Sequence, residues 1–199
     1  ILHLTRVFDP KKMGGIEEGI IQNSKFQKKN KIYNEILACG DSNKSFLFDG
    51  IKINIVKSSF SISNNIFSLN FIKKLNFIKK NFDYINLHFP WPFADFCVLL
   101  FCRKKKIIIN YHSDIVKQKY FKYFYLFFFK YFVNNKMINL INVSTQKYFE
   151  NSDLKNLLFK KNMHLINIQN MGYEDLSIKE IHSKAVRTKI KTFFENNKK

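Results

Sequence analysis

The chain has 199 residues, 46% of them hydrophobic, which is enough for one domain with a real core and excludes a wholly disordered chain. The formal net charge is +19, which suits an anionic membrane surface or nucleic acid, although an AT-rich coding bias would also enrich Lys, Asn, Phe and Ile. The three cysteines form no CxxC pair, which excludes a zinc cluster or a disulfide framework, and no apolar run is long enough to predict a transmembrane helix.

Predicted strands and helices alternate along the chain. Val, Ile, Leu and aromatic runs bounded by polar residues predict the strands, and apolar spacing of three and four residues predicts the helices. The predicted strands are residues 1–6, 34–39, a hairpin of 45–50 and 51–57 turning at Asp49-Gly50, 84–89, 106–112, 137–144 and 163–170. The predicted helices are residues 16–29, 66–80, 93–101 and 115–133. In the helix at 66–80, Phe67, Phe71, Leu75 and Ile78 share one face.

This alternation predicts an α/β fold. Strands separated by helices form βαβ units, whose right-handed crossovers build a mostly parallel sheet with helices on both faces. The predicted class is therefore a Rossmann-like, doubly wound domain. In such sheets ligands bind outside the carboxyl ends of the strands. Five predicted strand ends carry polar, Gly or Pro residues, in the segments DPKKMGGIEE, HFPWP, HSD, STQ and NMGYED.

Two glycines, Gly14 and Gly15, lie between the first strand and the first helix. Glycine allows the backbone to approach a ligand closely, and a helix N-terminus offers N–H groups and partial positive charge to an anion. A diphosphate would fit there. The segment is neither GxGxxG nor a P-loop. A simple strand–helix turn, with Glu17 and Glu18 favourable in the first helical turn, explains the same residues.

The segment HFPWP stiffens another strand end with two prolines, and Pro92 is predicted to begin the next helix. Trp91, the single tryptophan, is a candidate for stacking on a sugar or facing a membrane. Packing in the core is the favoured alternative for Trp91. The histidine of this segment, His88, is a second candidate contact.

His112 ends a predicted strand and precedes a predicted helix, with Ser113 or Asp114 as its N-cap. A histidine there can hydrogen-bond a ligand hydroxyl or phosphate. Asp114 and Lys119 stand beside it in the sequence, which favours function over a structural role. The chain contains no GxSxG, HExxH or kinase motif.

The predicted helix at 115–133 is amphipathic in an unusual way. Its basic face combines Lys119, Lys122 and Lys130 with Tyr123, Leu126 and Val133. The opposite face, expected to pack on the sheet, carries Phe121, Phe124, Phe128 and Phe132. Such a basic face suits peripheral membrane contact, and it equally suits plain solvation in a lysine-rich protein.

Taken together, LHLTRVFDPKKMGGIEEGI, DGIKINIVKSSFSIS, INLHFPWPFAD, IIINYHSDIVKQK and NMGYEDL resemble the N-terminal domain of a family-4 glycosyltransferase. The resemblance covers about residues 1–176 in the right order, and GGIE and YHSDIV are its more specific motifs. It implies one half of a GT-B fold, in which two Rossmann-like domains enclose the active site. It also implies retaining transfer of a sugar from a nucleotide-sugar to an acceptor, without an essential metal or other cofactor.

The resemblance implies a role for each strand end. Gly14 and Gly15 would face the donor diphosphate, and His112 would lie near the transferred sugar as the catalytic candidate. Candidate acceptor or phosphate contacts are His88, Trp91, Asp114, Lys119, Ser144 and Thr145. The implied partners are a nucleotide-sugar, a glycan or lipid-linked acceptor and an anionic membrane, with nucleic acid disfavoured. The implied setting is cell-surface glycan synthesis (lipopolysaccharide, capsule or glycolipid) in the cytoplasm, at the inner face of the membrane.

The sequence departs from the family in two places. Residues 170–174, NMGYE, replace the usual Pro-x-Gly-[Ile/Val]-Asp, and no segment matches the paired glutamates of the donor-binding domain. We therefore expect residues 177–199 to form a linker helix and tail towards a donor domain supplied in cis or in trans. We expect the chain alone to be almost inactive. The rival interpretation is a non-enzymatic basic module or split subunit that contacts an anionic membrane or nucleic acid.

Overall fold

A computed structural model describes residues 1–62, 65–113, 125–131, 138–143, 151–152 and 164–167, with the side chains of 139 and 164–167 left undescribed. Its strands are β1 Leu2–Val7, β2 Glu35–Gly40, β3 Lys44–Phe48, β4 Ile51–Lys57, β5 Phe60–Ile62, β6 Asn65–Phe67, β7 Tyr84–Phe89, β8 Lys106–Tyr111, β9 Ile138–Val143 and β10 His164–Asn167. Its helices are α1 Gly15–Lys29, α2 Leu69–Ile78 with a 3-10 turn at Lys79–Asn81, and α3 Pro92–Phe101. Residues 125–131 are also helical.

Eight strands form one sheet in the order β10-β9-β8-β7-β1-β2-β4-β3. All neighbours pair in parallel except β3, which pairs antiparallel with β4 at the edge. The predicted Rossmann-like fold is confirmed. The order reverses between β1 and β7, because the chain leaves β1 towards β2 and later returns to the other side of β1. A crevice at this reversal is where such sheets bind ligands.

The predicted hairpin turn is confirmed between β3 and β4. Asp49 and Gly50 have φ angles of 51° and 73°, the left-handed conformation that a two-residue hairpin turn requires at both positions. Asp49 also pairs with Lys25 at 2.7 Å. The turn fixes the register that pairs Phe48 with Ile51.

The predicted helix at 66–80 is wrong at its start. Residues 65–67 form β6, which pairs with β5 in a separate two-stranded sheet, and Phe67 stacks on Phe60 at 4.9 Å. Ser68 then caps α2, since its Oγ accepts a hydrogen bond from the Phe71 N–H at 3.0 Å. The predicted inward face is confirmed for Phe71, Leu75 and Ile78, which are buried.

Two apolar cores cover opposite faces of the sheet. The larger core joins α2, α3 and residues 125–131 to inward side chains of β1, β7, β8 and β9, and the smaller core joins α1 to β2 and β4. Consecutive residues of β2 pack on opposite faces, since Ile36 lies in the smaller core and Leu37 in the larger one. Both faces are therefore covered, as predicted.

The structure corrects which side of the predicted helix at 115–133 packs on the sheet, as residues 125–131 show. The side that packs on the sheet is centred on buried Tyr125 and Phe129, with Phe128 only partly buried. Lys130 is exposed, as predicted for the basic face. The remaining residues of that predicted helix lie outside the described part of the chain. Within the described part, no helix is long and apolar enough to cross a membrane.

Candidate functional site

The strand ends predicted to carry function meet at one edge of the sheet. Because β1, β7 and β8 are neighbours and run in parallel, the loops that follow them share the carboxyl edge. The segments after these strands carry Gly14 and the first residue of α1, Gly15, after β1, Pro90 after β7 and His112 after β8. The structure thus brings together three of the predicted segments at the reversal in strand order.

The glycine loop ends in the N-terminus of α1, with Gly14 as the N-cap residue. Glu17 Oε2 accepts a hydrogen bond from the Gly14 N–H at 3.0 Å. A Cβ at Gly14 would lie 3.1 Å from the same oxygen, whereas a Cβ at Gly15 would meet no atom within 4 Å. Both glycines are exposed. A diphosphate at this terminus would replace the Glu17 carboxylate, which already occupies the position that favours negative charge.

Trp91 belongs to the core, so a stacking contact with a sugar is excluded by its complete burial. Its ring packs edge-on against Phe71 at 4.8 Å, and its Nε1 donates a hydrogen bond to the carbonyl of Ile66 at 3.1 Å. Pro92 begins α3, as predicted. The peptide bond before Pro90 is cis. The HFPWP segment therefore anchors β6, α2 and α3 beneath the site.

His112 is half-buried just past the end of β8, and its backbone N–H donates to the Phe89 carbonyl at 3.2 Å. Its ring stacks on that of His88, with centroids 5.3 Å apart and planes 12° apart. Nε2 of His112 lies 3.0 Å from Nδ1 of His88. Burial lowers the pKa of His112 to about 4, so the ring is neutral at pH 7.

His88 itself is buried, which excludes the predicted direct contact with an acceptor. It lies between two histidines, because its Nε2 is 3.3 Å from Nδ1 of His3. Burial, followed by the neighbouring His112 and His3, holds the pKa of His88 well below its usual range. His88 therefore supports His112 from within the sheet.

A row of buried polar side chains continues the contact between His88 and His3 across the sheet. His3 Nε2 lies 2.9 Å from Gln27 Oε1 on α1, and Asn86 Nδ2 donates to His3 Nδ1 at 3.1 Å. Asn110 Nδ2 donates to Asn86 Oδ1, and Asn142 Nδ2 donates to Asn110 Oδ1 at 2.8 Å. We call this row the polar row; its members are Gln27, His3, His88, Asn86, Asn110 and Asn142.

The sequence contains a signal for the polar row that the prediction of strands one at a time overlooks. YINLHF, KIIINY and INLINV all place at least one Asn inside a largely apolar or aromatic strand. A strand that is buried on both faces usually carries apolar side chains. An Asn repeated in neighbouring strands therefore indicates a hydrogen-bonded row. Register pairs Asn110 with His88 on one side and Asn142 on the other.

Four predicted site residues lie outside the described part of the chain. These are Asp114, Lys119, Ser144 and Thr145. The segment NMGYED and the expected linker at 177–199 also lie outside it. Their roles remain predictions.

The chain matches no protein-family model. It is 32% identical over 121 residues to the O-antigen chain mannosyltransferase C of Escherichia coli, covering 60% of this chain and 33% of that protein. It is 27% identical over 156 residues to the D-rhamnosyltransferase WbpZ of Pseudomonas aeruginosa, covering 77% of this chain and 40% of that protein. The chain thus spans between a third and two fifths of these curated relatives.

Solved structures support the fold. The sucrose-phosphate synthase of Thermosynechococcus elongatus aligns with a TM-score of 0.58 and 11% identity, covering 84% of this chain and 47% of that one. Anabaena HepE, solved with UDP and glucose, aligns with a TM-score of 0.53 and 13% identity, covering 92% of this chain and 49% of that one. The sequence relatives are named as glycosyltransferases, and the Rossmann-like fold of this chain is similar to about half of each solved structure.

Proposed function

We propose that this chain is the acceptor-side, N-terminal half of a retaining glycosyltransferase of the family-4 type. The observation that carries the proposal is the shared sheet edge of half-buried His112 and the exposed glycines at the start of α1. One edge thereby offers a neutral imidazole for a sugar hydroxyl and a helix N-terminus for a diphosphate.

In this proposal His112 contacts the transferred sugar, and Gly14 and Gly15 let the donor diphosphate approach the first turn of α1. Catalysis is electrostatic, because the N–H groups of that turn and basic groups of a second domain stabilise the departing nucleoside diphosphate. No essential metal ion or other cofactor is required. Asp114, Lys119, Ser144 and Thr145 are the remaining candidate contacts.

The proposed domain organisation has residues 1–176 as the Rossmann-like domain and 177–199 as a linker. The donor-binding domain would act with it in cis or in trans. The chain covers about half of each solved neighbour, which supports this arrangement. The nucleotide-sugar would bind in the cleft between the two domains, against the carboxyl edge of this sheet.

The proposed product is a cell-surface glycan. Both curated relatives are named as sugar transferases, one of them acting on the O-antigen chain, and this supports a hexose or deoxyhexose donor and a glycan or lipid-linked acceptor. A lipid-linked acceptor places the enzyme in the cytoplasm, at the inner face of the membrane.

A surface of α2 supports the membrane contact. Leu69 and Phe77 are exposed on this helix, at 67% and 66%, and Lys73 lies between them on the same side. Lys80 Nζ lies 5.3 Å above the Phe77 ring. Apolar side chains with flanking lysines favour an anionic bilayer surface. We call Leu69, Lys73, Phe77 and Lys80 the α2 face.

The proposal is tested by the full-length product of the gene that encodes this chain. It is incubated with a panel of nucleotide-linked hexoses and deoxyhexoses and with extracted lipid-linked glycans, and products are measured by mass spectrometry. We expect addition of one or more sugar residues with the anomeric configuration of the donor retained. Release of nucleotide without sugar addition, or an inverted product, would contradict the proposal. Tight, salt-dependent nucleic acid binding without transfer would instead favour a basic binding module.

A further inference from the structure

The polar row lies on one face of the sheet, and the other face of the same strands carries apolar side chains. In β7, β8 and β9 the residues flanking the row, such as Leu87, Ile109 and Ile141, all belong to the larger apolar core. Buried amides and imidazoles in the middle of a sheet persist only when each is hydrogen-bonded in a defined direction. The direction of these hydrogen bonds therefore indicates which ring nitrogen of each histidine carries the proton.

The three asparagines set that direction. Each presents its Nδ2 amino group to the next residue, from Asn142 to Asn110, from Asn110 to Asn86, and from Asn86 to Nδ1 of His3. An amide N–H only donates, so His3 Nδ1 accepts and carries no proton. The other ring nitrogen, Nε2, then carries the proton and donates to Gln27 Oε1 at 2.9 Å. The asparagines and Gln27 together assign the Nε2–H tautomer to His3.

The same argument assigns the protonated nitrogen of His88 and of His112. Asn86 Nδ2 and His88 Nε2 share the lone pair of His3 Nδ1, at 3.1 Å and 3.3 Å. A lone pair on His88 Nε2 would repel that of His3 Nδ1, so His88 Nε2 is the donor, which leaves His88 Nδ1 as an acceptor. His112 Nε2, 3.0 Å from that acceptor, must then carry its proton. The remaining nitrogen of His112, Nδ1, is left with a lone pair, and no described residue hydrogen-bonds to it. Burial lowers the pKa of His3 and of His112 to about 4, so these rings stay neutral at pH 7.

We infer that Gln27, His3 and His88 are positioning residues that fix His112 as the Nε2–H tautomer, with Nδ1 ready to accept a hydrogen bond from a ligand hydroxyl. This inference rests on the proposed function for the identity of the ligand, a sugar. A neutral imidazole lone pair accepts from an O–H group and repels a phosphate oxygen. His112 thus distinguishes the sugar from the diphosphate in the donor.

Histidine-selective ¹⁵N NMR of the 199-residue chain at pH 7 tests the inference without any substrate. We expect His3, His88 and His112 each to show a protonated Nε2 and a bare Nδ1. A protonated Nδ1 on His112, or an imidazolium, would overturn the inference. Assignment comes from single His→Asn variants, each of which removes one set of ring signals.

The decisive variant is Gln27→Met, which removes the acceptor of His3 Nε2–H and keeps the side-chain length. We expect the His112 tautomer to become mixed, although Gln27 contacts His3 and lies two imidazoles away from His112. The matched control is Gln22→Met on the same helix, where Gln22 Nε2 donates a hydrogen bond to the exposed Glu18. An unchanged His112 spectrum in a folded Gln27→Met variant would show that the asparagines alone set the tautomer and would overturn the positioning role of Gln27.

Transfer by the full-length gene product separates this inference from the proposed function. We expect Gln27→Met to lower kcat about five- to tenfold, the loss of one hydrogen bond, while Gln22→Met leaves it unchanged. A wild-type protein that shows the expected tautomers but transfers no sugar would refute the proposed function and leave the tautomer assignment intact. Normal transfer with the opposite tautomer on His112 would refute only the inference.

Discussion

The imidazole rings of His88 and His112 lie stacked at the carboxyl edge of the sheet, with His88 Nδ1 3.0 Å from His112 Nε2. One ring is buried in the sheet and the other is half-exposed at its edge. A side chain that would bind a ligand is therefore held by a partner that cannot move without disturbing the core. Packing of this kind fixes a site more precisely than a loop does.

Acid should destabilise the protein through these histidines. The folded-state pKa of His88 is lowered, so the folded protein binds fewer protons than the unfolded chain below about pH 6.5, and stability falls as the pH falls through that region. His88→Asn removes one such group. We expect the variant to lose less stability than the wild type between pH 7 and pH 5, by at most about 1.4 kcal/mol per pH unit. Urea unfolding at each pH measures this, and parallel curves would contradict it.

Asp95 should have the opposite dependence on pH. Its carboxyl is fully buried on α3 beside the hydroxyl of Tyr125, which donates to Oδ2, and burial raises its pKa to about 8. The folded protein then binds more protons than the unfolded chain between about pH 4 and pH 8, so this group costs stability as the pH rises through that window.

Asp95→Asn should therefore gain stability relative to the wild type as the pH rises from about 4 to about 8, and the two curves should run parallel above that. Thermal unfolding across this range measures the difference. Asp49→Asn is the control, because Asp49 forms an exposed ion pair worth at most about 1 kcal/mol and lies in a turn that Asn also adopts. A pH-independent difference for Asp95→Asn would contradict a buried, proton-binding carboxyl.

Gly15→Ala should separate ligand binding from folding. A methyl group at Gly15 meets no atom of the protein within 4 Å, so stability should change by less than about 1 kcal/mol. The same methyl would stand where a diphosphate approaches the first turn of α1. We expect binding of a nucleoside diphosphate to weaken roughly tenfold, about the value of one charge-assisted hydrogen bond. Calorimetry measures both quantities.

Gly19→Ala is the matched control for that variant. Gly19 lies one turn further along α1, and a Cβ there also meets no atom within 4 Å. Alanine in a helix interior should stabilise the protein by about 0.5–1 kcal/mol and leave nucleotide binding unchanged. Equal binding by both variants would show that the glycine loop is only a strand–helix turn.

The α2 face predicts binding to anionic vesicles. Replacing Leu69 and Phe77 by Ser removes exposed apolar groups without touching the core, so folding should be preserved. We expect weaker sedimentation with vesicles that contain phosphatidylglycerol, and a comparable loss when Lys73 and Lys80 become Gln. The control is Ile16→Ser, which changes an exposed residue of α1, the helix that covers the other face of the sheet. Equal losses in all three variants would argue against a defined membrane surface.

Local patterns predicted most of the fold because they act over a few residues. The turn at Asp49-Gly50 and the alternation of strands and helices needed no information from distant parts of the chain. The helix predicted to include Phe67 failed because β6 depends on pairing with β5, which local spacing does not record. Trp91 was ambiguous for the same reason, since its burial depends on Phe71 and Ile66 packing around it.

The candidate site was predictable only at its rim. His112 and the glycine loop stand at strand ends, where polar residues contrast with their surroundings. Asn86 and Asn110 were hidden because a chain rich in Asn makes a single strand amide look like compositional bias. His3 was hidden because the register that brings it opposite Asn86 arises only when the sheet forms.

We propose that this sheet edge binds the sugar of a nucleotide-sugar through His112. The most direct measurement is sugar transfer by the full-length gene product carrying His112→Ala, compared with the wild type and with Gly19→Ala. We predict that kcat falls about 100-fold or more in His112→Ala while its melting temperature stays within a few degrees of the wild-type value, and that Gly19→Ala transfers normally. Unchanged transfer by a folded His112→Ala protein would show that His112 does not contact the transferred sugar.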